Sequence, residues 1–191
     1  MPLAALARRC CERAHQRWRY RQLSSAITKQ FATTLKGELQ AALQDGGPLH
    51  AVSVCRQHAP AIATPLSEQS GWQFGRTSLK PRNIALDAPD LWEQHVLQQL
   101  EDRRGRGEAV DSPTYAKVVE EHGDTRYGYV QAIPTAQVRL ACQASNIDPA
   151  LAEAIDAAYP EGQANGFATG DIRGALTLSR PRGSGGRAAS V

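Results

Sequence analysis

Apolar residues return at helical spacing from residue 23 onward, at Leu23, Ile27, Phe31, Leu35, Leu39, Ala42 and Leu43, with mostly polar positions between them. That recurrence predicts a long helix with one buried face. Asp45-Gly46-Gly47-Pro48 stops it. The glycines permit turn geometry, and Pro48 has no amide to continue the ladder. A second helix is predicted after Pro48, buried through Ala51, Val52, Val54, Cys55, Ala59, Ile62, Ala63 and Leu66. Pro60 inside it predicts a kink or a new turn.

The period then changes. Residues 72–76 alternate as a short strand, and residues 77–88 read as an ordered loop. Pro89-Asp90-Leu91-Trp92-Glu93 looks like a helix start, with Trp92, Val96, Leu97 and Leu100 as its apolar stripe. Residues 103–107 read as a surface connection. Residues 115–119 and 126–134 predict two antiparallel strands turned by His122-Gly123-Asp124. Asp148-Pro149 opens a short helix that buries Leu151, Ile155 and Ala158, and residues 172–178 form a last strand. Helices first and antiparallel strands after predict an α+β fold.

Charge divides the chain. Residues 1–22 hold six arginines against one glutamate, and residues 180–191 hold three arginines and no acid. Residues 23–179 carry 13 basic and 18 acidic side chains. The predicted organisation is a basic N-terminal tail (1–22), a domain (23–179) and a disordered C-terminal tail (180–191). A nucleic-acid binder concentrates its cations on the folded domain, so nucleic acid is not an expected partner. No apolar run reaches transmembrane length. The apolar patch at residues 1–7 precedes the arginines, the reverse of a secretory signal.

Five stretches occur in an order that resembles one family. They are Ala51-Val52-Ser53-Val54-Cys55 followed by Ala59-Pro60; Gly75-Arg76-Thr77-Ser78-Leu79-Lys80-Pro81-Arg82-Asn83; Pro89-Asp90-Leu91-Trp92-Glu93; Tyr159-Pro160; and Gly166 through Ala175. Over about residues 25–180 the chain resembles the small PAS-like haem-c proteins and sensor ectodomains grouped as a domain of unknown function. The resemblance implies a PAS-like antiparallel sheet flanked by N-terminal helices. It implies haem as cofactor, with Cys55 as an axial iron ligand, since thiolate is a strong donor. It also implies haem attachment through Cys-x-x-Cys-His, and export, because haem c is attached outside the cytoplasm. Here Cys142 matches the second cysteine, while Arg139 stands at the first and Gln143 at the histidine. That departure predicts failure of the usual covalent attachment. It leaves localisation undecided between the export that the resemblance implies and the cytoplasm that the N-terminus suggests.

The candidate site set is therefore Cys55, Cys142, Arg76, Lys80 and Arg82, with Cys55 on the metal and the three cations as propionate partners. Arg173 joins the cations of interest. Each residue has a plainer reading. Cys55 and Cys142 suit buried free thiols, with a disulfide as the alternative that a reducing compartment disfavours. The cations suit ion pairs with Asp87, Asp90, Glu93 or Asp171. Trp72 and Trp92 suit the core. Cys10 and Cys11 are adjacent and lack zinc spacing. His58, three residues after Cys55, suits a surface hydrogen bond. No nucleophile elbow, phosphate loop or metal pair supports an enzyme. Two functions stand: a haem-associated redox-sensing, gas-sensing or electron-transfer domain, and a cofactor-free PAS-like sensory or interaction domain.

Overall fold

The computed structural model describes residues 3–108, 113–121 and 124–182, with side chains described from Ala14 onward except at Glu121 and Asp124. Cys10 and Cys11, the His122-Gly123 turn and residues 183–191 lie outside that description.

Helical signal at the start of the chain is stronger than its apolar pattern. Helix α1 spans Leu3–Ser70. The segment expected as a basic tail is helical from Leu3, because arginine and alanine propagate a helix without burying a face. The break expected at Asp45–Pro48 is real but narrow. Gly47 alone leaves helical geometry, at φ 68° and ψ −165°, and the helix resumes at once. Pro48 follows at the start of that second stretch, where a missing amide is tolerated.

Strand β1 (Gln73–Thr77), the short α2 (Ile84–Asp87) and α3 (Leu91–Gly105) follow. Part of the expected surface connection belongs to α3. Asp90 caps α3 by accepting from the Glu93 amide, and the Glu93 carboxylate accepts from the Asp90 amide. This reciprocal pair satisfies two amides at the helix start. Then come β2 (Thr114–Glu121), β3 (Asp124–Pro134), a 3-10 turn at Gln137–Arg139, α4 (Pro149–Ala158) and β4 (Ile172–Pro181). β4 is longer than expected because its polar end pairs with Arg126, Tyr127 and Gly128.

The four strands form one antiparallel sheet in the order β1-β4-β3-β2. The architecture is α+β. Side chains alternate across the sheet. Tyr127, Tyr129, Leu176 and Leu178 meet Ile27, Phe31, Leu35, Ala59 and Leu66 of α1, with Trp72 beside them. Val130, Ala132, Val119 and Ala175 meet Trp92, Val96, Leu97 and Leu100 of α3. Both expected core tryptophans are buried there. A Cβ at Gly128 would come within 2.5 Å of the Trp92 ring, so only glycine lets that ring lie on β3.

The register slips at one point. Ile133 pairs with Gly174 and Pro134 with Ile172, which leaves Arg173 as an extra residue in β4. Such a bulge bends a strand and re-aims a side chain. Ser78 Oγ donates to the Arg173 carbonyl at 2.8 Å and pins it. Gly174 beside it has φ 147°, and a Cβ there would lie 2.5 Å from the Thr77 carbonyl.

Candidate functional site

The bulge opens onto a cavity of about 110 Å³ between α1 and the sheet. One wall is apolar and comes from Leu35, Leu39, Leu43, Ala51 and Val52 of α1. Opposite lie Arg76 and Thr77 at the end of β1 and Arg173 on β4. The 3-10 turn and the residues after it add Arg139, Cys142 and Gln143. The helical period brings Cys55 to this wall, one turn after Ala51 and Val52.

All five expected site residues line this one cavity: Cys55, Cys142, Arg76, Lys80 and Arg82. Their surroundings differ. Arg82 is occupied, donating from Nη2 to the Cys142 carbonyl at 2.6 Å and the Ala164 carbonyl at 2.8 Å. Burial lowers its pKa. Lys80 lies over the Phe167 ring at 5.3 Å from its centroid. Arg76 pairs with Asp87 at 3.4 Å, one of the ion pairs expected from sequence. The other acids take different partners. Asp90 pairs with Arg126 and Asp171 with Arg104, while Glu93 accepts from Thr177 Oγ1 at 2.5 Å.

Cys55 and Cys142 are both free thiols. Burial pushes the Cys55 thiol up, nearby Cys142 adds to this, and Arg139, Arg76 and Arg173 oppose it. A thiol so placed stays protonated at neutral pH. Cys142 Sγ sits 3.6 Å from the Arg139 carbonyl. His58 lies away from the cavity and is held by Glu38 at 3.0 Å, as a surface histidine would be.

Sequence reasoning noted Arg139 and Gln143 only as departures from a motif. Both line the cavity. Gln143 is buried and accepts from Arg173 Nη1 at 3.3 Å. Its carbonyl also accepts from the Phe167 amide at 2.9 Å. Among the described residues, Arg139 has no hydrogen-bonded or ion-paired side-chain partner, and burial lowers its pKa. Arg173 is pushed down to about 9 by burial first and by Arg139 and Arg76 second, so it remains charged at neutral pH. The tip of Arg173 keeps some accessible surface, whereas its Nε is sealed and unpartnered. Thr77 Oγ1 is likewise buried without a partner.

Among the described residues no cluster of three or more His, Cys, Asp or Glu could hold a metal ion, and no helix is long and apolar enough to cross a membrane.

Comparison with known proteins agrees with this architecture. No curated protein sequence matches the chain. The crystal structure of the cyanobacterial haem-protein Tll0287 is similar, with a TM-score of 0.64 at 22% identity over 83% of this chain and 92% of that one. At that identity the likeness concerns the fold. The sequence profile of Tll0287-like proteins matches residues 7–181, from within α1 to the end of β4, and the chain belongs to the Tll0287-like family.

Proposed function

We propose that this chain is a non-enzymatic, ligand-sensing domain on a haem-family scaffold, and that its pocket does not attach haem c in the usual way. One observation carries the reading. The two positions where the resemblance places an attachment cysteine and an iron-ligating histidine are filled by Arg139 and Gln143, and Gln143 is engaged by Arg173. Glutamine is a poor iron ligand, and a buried guanidinium beside a porphyrin needs an anionic partner. The residues present do not fit a haem c held by two thioethers and a histidine.

A second reading keeps haem without the covalent bond, and it serves redox sensing, gas sensing or electron transfer. It is favoured by Cys55, which lines the cavity where the resemblance puts an axial thiolate. Arg76, Lys80 and Arg82 would then meet the propionates. Arg82 is already bound to two carbonyls, which weakens that assignment.

A visible absorption spectrum of protein expressed with ample haem, before and after acid–acetone extraction, separates the readings. The proposal expects no Soret band that survives extraction. A surviving band means that Cys142 holds haem covalently and overturns it. A band lost on extraction and altered by Cys55→Ala supports the second reading.

A further inference from the structure

The ionisable side chains around the cavity are unbalanced. Arg76, Lys80, Arg82, Arg139 and Arg173 face it, against a single carboxylate, Asp87. Asp87 is taken by Arg76, and Arg82 is spent on carbonyls. Arg139 and Arg173 have no acidic partner among the described residues. Leaving a buried charge uncompensated is costly, and native chains leave few buried polar atoms without partners. One such atom lies beside the cavity, Arg173 Nε.

We propose that the cavity binds a small organic carboxylate, gripped by Arg76, Arg139 and Arg173. This deepens the proposed function and rests on its claim that haem c does not fill the pocket. A planar guanidinium matches a carboxylate with two parallel hydrogen bonds. The bulge fixes Arg173 in advance, through Ser78 Oγ on its carbonyl and Gly174 packed against Thr77. The facing wall is apolar, with Leu39, Leu43 and Val52. An acid with a short hydrocarbon body satisfies both walls, whereas an inorganic oxyanion satisfies one. The cavity of about 110 Å³ suits a small acid.

The test is thermal unfolding of the haem-free full chain in a buffer without carboxylate or phosphate. The probes are propionate, isobutyrate, pyruvate and malonate, with phosphate and sulfate as comparisons. At saturating concentration at least one carboxylate raises Tm by roughly 4 °C, and phosphate and sulfate raise it less. Arg139→Met keeps the ligand-free Tm or raises it, and loses the response. Arg139→Gln also weakens the response, and it carries the test should Arg139→Met fail to fold. A flat response to every carboxylate overturns the proposal, as does an equal response to phosphate or an unchanged response in both variants. An absorption spectrum of the same sample separates the two failures. An extraction-resistant haem band overturns the function and this ligand together. A haem-free sample that ignores carboxylates overturns the ligand alone.

Discussion

On the α3 face of the sheet, Leu97 and Leu100 are sealed from solvent, and the buried Glu93 accepts from the Asp90 amide and the Thr177 hydroxyl. Beside the later part of α1, Arg173 keeps a sealed and unpartnered Nε, and Arg139 has no acidic partner among the described residues. Both regions use the same sheet and neighbouring turns of chain. The difference is that the buried Glu93 is fully paired, whereas Arg139 and Arg173 are held without acidic partners. An uncompensated charge detracts from stability, and under the proposed ligand reading a bound acid offsets that cost.

The largest effect that sharpens this comparison is expected on the closed face. Leu97→Ala should cost about 3 kcal/mol in denaturant unfolding, because the cavity left behind cannot collapse under a rigid sheet. Glu93→Ala comes next, at about 2 kcal/mol, through loss of the α3 cap and of the Thr177 contact. The same assay on Arg139→Met should show no loss, or a gain of up to about 1 kcal/mol, because an uncompensated charge is replaced by an apolar chain of similar length. A loss as large as that of Leu97→Ala would break the comparison and make the cavity part of the structural core.

The smallest effect concerns pH. The folded chain keeps the Cys55 proton at pH values where an ordinary thiol, with its midpoint at 9.0, has already released it. The folded state then binds more protons than the unfolded state. Stability from this thiol is therefore fully present below that midpoint and declines as pH rises through the higher folded value. Alkylation of Cys55 by iodoacetamide should accordingly stay slow near neutral pH and accelerate only above the ordinary thiol midpoint. Rapid modification at pH 7 would mean an activated thiolate and a different pocket chemistry.

Much of the fold was legible because its signals are local. The Trp92–Leu100 stripe, the Asp90/Glu93 cap and the alternating strands appear where periodicity and capping place them. The beginning of α1 was not legible, since an Arg-rich stretch offers no apolar period to read. The bulge at Arg173 was hidden for another reason. It depends on the register of β4 against β3 and on Ser78, which lies 95 residues away in sequence. The five expected site residues share one cavity because the family resemblance carried three-dimensional information that spacing did not. The same resemblance pointed toward haem and gave Arg139 and Gln143 only as departures, whose importance lies in what they displace.

The central claim is that two side chains, Arg139 and Gln143, decide what this scaffold holds. The most direct test makes Arg139→Cys together with Gln143→His and co-expresses parent and double variant with haem-attachment machinery in an exporting host. Haem that survives acid–acetone extraction should be found in the double variant and be absent from the parent. Covalent haem in the parent, or none in the double variant, would contradict the account.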